Sequence, residues 1–398
     1  MDFALSEEQQ ILVETVKQFT IKEVQPWIHY IDENQNTDLG HKKARAIFKK
    51  AAELGLTAMG YPEDVGGVKS DPITIGLACE ALGTYGGLPQ LESGQPLCGP
   101  SGPGLVLAVE GTKEQKEEWI AKIIAGDRVV SIGSTEPHCG SDVSQIKTAA
   151  KRDGEDYIIN GEKQMVGGSR WSDAHLVYCR TSDEPGAKGI SAILVENDRP
   201  GVERYQFKTL GGSFWEIGGI RYKDVHVPTK NLIGREGRGF YLAMGMFDWM
   251  RSLAGCFTIG LAQRALDECV EYVKQRQAFG QPVGKWEAVQ FRIAESATLL
   301  EAARWLSYRA LWLAATNKPY TKEASMVKWW VPTVAFNVVN DCMQNLGATG
   351  YTTNSYDELR LRYIRALWVA DGTIDIQKIV IGREILGREF VPYRREKV

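Results

Sequence analysis

What most restricts the fold of this chain is the order in which its hydrophobic periodicities change along 398 residues. Residues 1 to about 127 read as helical. Ser6 with Gln9, and Thr112 with Gln115, have the spacing of a capping box, in which side chains satisfy free backbone groups at a helix start. Gly55, Gly86 and Gly126 stand where the chain must leave a helix. From Arg128 to about Arg235 short β-type runs take over: RVVSIGS, DYIINGEKQMV, HLVYCRT, GISAILVE and GIRYKDVHVP. Asp153-Gly154 and Asn160-Gly161 supply turn chemistry within that block. From Gly237 helical spacing returns, with Ile259, Ala262, Leu266, Cys269 and Val273 recurring at intervals of three and four. This order predicts an α+β chain with an N-terminal helical domain (1–127), a middle β domain (128–236) and a C-terminal helical domain (237–398).

Several function classes fall away. A net charge of −3 does not make a nucleic-acid surface, so any phosphate-bearing ligand must be held by local groups. The seven cysteines are scattered and never spaced as CxxC, which excludes a cysteine metal site or a disulfide framework and leaves them as small apolar side chains. No metal is expected. No run approaches the roughly 18 consecutive apolar residues of a membrane span. The opening MDFALSEEQQ carries acids where a leader carries basic residues, which predicts a cytoplasmic protein. The segment GGLPQLESGQPLCGPSGPG (86–104) is too rich in Gly and Pro for a regular helix, and long ordered connections of this kind are often functional.

Five segments then carry a likeness. TEPHCGSDV (135–143), GLAQRALDE (260–268), RQAFGQPV (276–283), QNLGATGY (344–351) and DGTIDIQ (371–377) resemble, in order, segments of the FAD-dependent acyl-CoA dehydrogenases. The resemblance implies a barrel-like middle domain and a C-terminal four-helix bundle. It also implies removal of hydrogen from the α and β carbons of an acyl-CoA, with electrons passed to an electron-transfer flavoprotein. Asp371 matches the position of the α-proton base, and Arg251 an arginine close to it. Matched cofactor positions are Ile132, Ser134, Thr135, Gly140, Ser141, Met165, Gly167, Arg276, Phe279, Gln344, Ala348, Thr373 and Asp375. Substrate positions are Ser141, Phe247, Asp248, Arg251, Gly372 and, in the Gly/Pro-rich segment, Glu92. In the family Arg276 and Phe279 would reach a neighbouring subunit's FAD, so the resemblance implies a homotetramer built as a dimer of dimers.

The physical chemistry of these residues agrees with their matched roles. Hydroxyls and free N–H groups on a Gly-containing turn can face a pyrophosphate or a flavin edge. Arg276 offers a planar fork for phosphate, and Phe279 a flat apolar surface. The departures are specific. Met165 and Gly167 replace a usual Trp and Thr beside the flavin; Ser213 replaces an Arg; Glu287 and Asp375 stand where Gln, or Gln or Glu, is usual. The base is Asp where most members have Glu, so its oxygens reach roughly 1.5 Å less far. Met250 occupies the family's alternative base position and cannot act, while Asp248 lies on a different helix face. The shorter base and the 86–104 segment together predict room for an alicyclic, branched or aryl-bearing acyl group. Rival readings are an oxidase with the flavin edge opened at Gly167, an enoyl-CoA reductase using the same residues, and a non-catalytic binding scaffold.

Overall fold

The computed structural model describes residues 4–34, 36–86, 90–92, 95–211 and 216–392, with only the backbone for 90–92 and 95. The N-terminal part carries helices α1 (Glu7–Phe19), α2 (Asp38–Glu53), α3 (Pro72–Thr84) and α4 (Gly102–Glu110). Both capping boxes form. Ser6 accepts from the Gln9 N–H and Thr112 from the Gln115 N–H, with each Gln side chain reaching back. Gly55, Gly86 and Gly126 all adopt left-handed φ of 74°, 82° and 73° at the ends of helical stretches. The 86–104 segment is less irregular than its composition implies, because α4 begins inside it. Ser101 caps Gly104 N–H, and Pro103 stands in the first turn, where its missing N–H removes no helix bond.

The middle part is an eight-stranded mixed sheet built from β1 (Val130–Gly133), β2 (Ala149–Asp153), β3 (Asp156–Gly167), β4 (Ala174–Arg180), β5 (Ile190–Glu196), β6 (Val202–Gln206), β7 (Ile217–Pro228) and β8 (Leu232–Ile233). The order is β8-β5-β4-β2-β3-β7-β6, with β1 added parallel to β4. On β4 and β5 both faces are covered. Leu176, Tyr178, Ala192 and Leu194 face one core, Val177, Cys179, Ile193 and Val195 the other, so these strands read as near-continuous apolar runs. Asp153-Gly154 makes the β2–β3 turn. Asn160-Gly161 does not make a turn: it lies in a bulge within β3, where Asn160 exchanges hydrogen bonds with Asp224 on β7 (3.0 Å each).

The C-terminal part contains α5 (Gly239–Gln275), α6 (Glu287–Ala315), α7 (Thr321–Leu346), α8 (Asp357–Leu367) and α9 (Ile374–Leu386). Ile259, Ala262, Leu266, Cys269 and Val273 are all buried on α5, as their spacing predicts. The helix crosses α3 at a glycine pair. A Cβ on Gly83 would lie 2.8 Å from Phe257 O and one on Gly260 2.2 Å from Glu80 O, so only glycine permits this approach. One core therefore runs from α3 through α5 into α6 and α7, locking the two helical parts together. Each fully buried Leu, Ile or Val in it contributes about 1.5–3 kcal/mol. No helix among the described residues is long and apolar enough to cross a membrane.

Candidate active site

The sheet, α4 and α5 share one core and approach closely at Gly102. A Cβ on Gly102 would lie 2.8 Å from Met246 Sδ on α5 and 3.2 Å from Ile132 Cδ1 on β1. From this point α5 leads along one face through Phe247 and Asp248 to Arg251, whose guanidinium lies 5.5 Å from the Phe247 ring centroid. Arg251 is buried and donates two hydrogen bonds among the described residues. Its Nη1 donates to Asp248 Oδ1 (3.2 Å) and its Nε to the backbone oxygen of Asp371 (3.1 Å).

Asp371 lies on the connection between α8 and α9, in a left-handed conformation (φ 51°) followed by a second left-handed residue, Gly372 (φ 88°). Its carboxylate makes no hydrogen bond or ion pair among the described residues. Asp248 is the opposite case: it takes Arg251 on one oxygen and the Thr321 hydroxyl on the other (2.5 Å). Burial raises the Asp248 pKa despite both partners, and burial likewise lowers that of Arg251 against the pull of Asp248 and Asp371. A second cation, not singled out by the motifs, lies below the same turn. Lys328 on α7 is buried and donates to Leu367 O (2.5 Å) and Gly372 O (3.3 Å), and Gln377 Nε2 also donates to Gly372 O (3.0 Å).

The 134–148 loop leaves β1 beside this face. Ser134 is buried and its hydroxyl has no hydrogen-bond partner among the described residues. Gly140 and Ser141 are exposed, and a Cβ on Gly140 would meet only Thr135. The loop is held from behind by Glu136, which accepts from Lys147 N–H (2.6 Å), Thr148 N–H (2.9 Å) and the ammonium of Lys163 on β3 (2.7 Å). Both charged groups are buried. Burial pushes Glu136 up, but Lys163 and the backbone donors outweigh it and hold the carboxyl below its usual range. Further along β3, a bulge gives Met165 a left-handed φ of 55° and leaves it 58% exposed, with Gly167 two residues on. Trp171 is turned away and stacks on His41 of α2 at 4.4 Å. An unpaired buried hydroxyl, an open glycine turn and an exposed thioether on one rim suit a planar ligand with polar edges.

The remaining predicted positions lie elsewhere. Thr373 caps α9 through Ile376 N–H, and Asp375 is exposed in its first turn. Arg276 follows the last residue of α5, and Phe279 forms with Gly280 the two-residue turn of the hairpin just after it (φ 51° and 76°); both are exposed, Phe279 at 94%. Gln344 and Ala348 are exposed at the end of α7. Arg276 is 25 residues beyond Arg251 on α5, about 37 Å along the axis, so within one chain it cannot serve the same site. Glu92 lies on a short strand (Gln90–Glu92), with its side chain outside what is described; Ser213 lies outside the described residues.

Three domain families cover most of the chain: "Acyl-CoA dehydrogenase, N-terminal domain" matches residues 6–127, the "middle domain" 131–225 and the "C-terminal domain" 237–386. The acryloyl-CoA reductase (NADH) of Anaerotignum propionicum is 33% identical, over 98% of this chain and 97% of that one. The mitochondrial short-chain specific acyl-CoA dehydrogenase of Bos taurus is 32% identical, over 96% of this chain and 91% of that one. A structure solved in work on the electron transferring flavoprotein of Acidaminococcus fermentans and flavin-based electron bifurcation superposes with a TM-score of 0.88 at 32% identity, covering 97% of this chain and 100% of that one. With its three domains matched in order along the chain, it belongs to the FAD-dependent acyl-CoA dehydrogenase family, oxidoreductases that act on the CH–CH bond of acyl-CoA thioesters.

Proposed function

We propose that this chain oxidises a compact acyl-CoA between its α and β carbons, with Asp371 taking the α proton. The observation that carries this is the contrast between the two acids of the site. Asp248 is occupied on both oxygens, whereas the Asp371 carboxylate has no hydrogen bond or ion pair among the described residues and is borne on a turn anchored to Arg251. A base must have a lone pair free for the proton it accepts, and must be held still while it does so. Bound FAD would supply the two-electron acceptor for the hydride lost from the β carbon. Ser134, Thr135, Gly140 and Ser141 would hold the flavin's polar edge, with Ile132, Met165 and Gly167 along the ring. Thr373 and Asp375, at the start of α9, would border the same cofactor. Phe247, Asp248, Arg251, Gly372 and Ser141 would border the thioester.

Arg276, Phe279, Gln344 and Ala348 would serve the cofactor of a second copy. Phe279, exposed at 94% beside Arg276, offers its ring to such a neighbour. We read the assembly as a homotetramer, and electron-transfer flavoprotein as the electron acceptor. The seven cysteines are buried free thiols, which suits the cytoplasm. Arg276→Ala removes a charge-assisted contact worth about 1.5–3 kcal/mol. It should raise the dissociation constant for FAD at least tenfold with the fold intact by circular dichroism; full flavin occupancy after gel filtration would count against a shared site.

For the acyl group, the wall from Leu97 to Gly104 is filled. Trp249 Nε1 donates to Pro100 O (3.4 Å), and a Cβ on Gly104 would lie 1.9 Å from Tyr61 Oη. By their names, the short-chain specific acyl-CoA dehydrogenase and the acryloyl-CoA reductase support a short straight or branched chain over an alicyclic or aryl-bearing group. Anaerobic titration should bleach the flavin fastest with butyryl-class thioesters. Faster bleaching by octanoyl-CoA or cyclohexanecarboxyl-CoA would overturn the compact-substrate reading. Bleaching by none, with NADH-driven reduction of an enoyl-CoA, would place the chain beside the acryloyl-CoA reductase instead.

A further inference from the structure

We propose that Lys328, with Gln377, is a positioning residue that sets the place of the base by clamping the backbone on both sides of Asp371. The inference rests on Asp371 being the base. Lys328 donates to Leu367 O, four residues before Asp371, and to Gly372 O, one residue after it. Gln377 donates to the same Gly372 oxygen from the first turns of α9, and Arg251 takes the oxygen of Asp371 itself. Three side chains from α5, α7 and α9 thus converge on three carbonyls of one turn. Gly372 is wedged among them: a Cβ there would lie 2.8 Å from Gln377 Nε2 and 3.3 Å from Arg251 Nη2.

The turn needs such a clamp. A non-glycine residue with left-handed φ carries a penalty of order 1–3 kcal/mol and persists where its surroundings over-determine it. A short base adds a second reason, because Asp has fewer side-chain torsions than Glu with which to correct an ill-placed backbone. Lys328 is also an expensive choice for holding a loop. The residue is 1% exposed, and burial pulls its ammonium down to about 8, with Asp371 attracting the charge and Arg251 repelling it. An apolar side chain would fill the same space on α7 without that penalty. Its retention is accounted for by the two carbonyl bonds and by the positive charge it places under the carboxylate.

The test compares Lys328→Met, Gln377→Leu and Asp371→Asn in the flavin-loaded enzyme, together with amide hydrogen exchange over residues 368–373 without substrate. Lys328→Met should lower kcat roughly 100-fold, as a displacement of about 1 Å would, with KM for acyl-CoA and flavin content unchanged and faster exchange confined to the turn. Gln377→Leu should lower kcat about tenfold by a smaller displacement, and it carries the test if Lys328→Met does not fold. An inactive Asp371→Asn beside a fully active Lys328→Met, or Gln377→Leu where that one alone folds, overturns the clamp while leaving the base in place. An active Asp371→Asn overturns the base, and the clamp with it. Loss of flavin and a rise in KM in step with the fall in kcat would make Lys328 merely structural and also overturn the proposal.

Discussion

Asp371→Asn is expected to lower the rate constant for flavin bleaching by acyl-CoA about 10³-fold, within the 10²–10⁴ range contributed by a positioned base, which is about 4 kcal/mol of barrier. The substitution is a clean one for this backbone. Asn tolerates left-handed φ as well as Asp does, so the turn at 371–372 keeps its shape and the bond from Arg251 Nε to the backbone oxygen survives. What changes is one atom: an acceptor oxygen becomes an amide that cannot take a proton. Acyl-CoA should therefore still bind, seen as a shift of the flavin bands, without bleaching them. Asp371→Glu tests reach. Its carboxylate extends about 1.5 Å farther from a backbone that Arg251, Lys328 and Gln377 hold fixed, so the rate should fall, yet stay well above that of the Asn variant. Bleaching by the Asn variant within tenfold of the parent would eliminate Asp371 as the base and return Asp248 to consideration, despite its two engaged oxygens.

The elements that could be read from the chain are those whose residues carry their own period. The α5 stripe from Ile259 to Val273 repeats at three and four, the five apolar strands alternate or run near-continuously apolar, and the structure places them accordingly. Strands β2 (AAKRD) and β6 (VERYQ) carry no such run; three residues of β2 and two of β6 are exposed, and ladder bonds to β3 and β7 define them instead. Asn160-Gly161 has the composition of a turn but sits in a bulge, because the pairing of β3 with β7 continues past it. At the site, the family likeness named Asp371 and Arg251 through motifs, but it gave no reason for Lys328 or Lys163. Each left a trace in the sequence. Ala324, Lys328, Val331 and Ala335 form a helical stripe that is buried throughout, and Lys163 falls on the inward phase of β3 with Tyr157 and Ile159. A lysine on an apolar stripe is seldom fully buried without a partner. What the sequence could not show is the partner, since Gly372 and Glu136 are 44 and 27 residues away.

The Lys163–Glu136 pair carries the second large expected effect. Lys163→Met keeps the length and removes the charge, leaving a carboxylate that is 3% exposed without its cation. Breaking a buried pair in this way costs about 3–5 kcal/mol, far more than an exposed ion pair would. The damage should reach function through the loop: Glu136 accepts the N–H groups of Lys147 and Thr148, which fixes the 134–148 segment bearing Ser134, Thr135, Gly140 and Ser141. Lys163→Met should therefore show both a lower thermal midpoint and a reduced ratio of FAD to protein. Adding Glu136→Leu separates the two effects. The stranded charge is gone, and apolar replacement of a buried pair is often neutral or stabilising, so much of the midpoint should return. The two backbone N–H groups then have no acceptor, so FAD retention should stay low. Recovery of both together would mean that the pair serves the fold alone. Acid provides the same test without mutation. The Glu136 carboxyl is held below its ordinary value of 4.5, so its contribution to stability is complete above that pH and is lost as pH falls through its depressed value. FAD release on acidification should thus begin below about pH 4.5 in the parent, whereas in the double variant this carboxylate is absent and release should follow a shallower course.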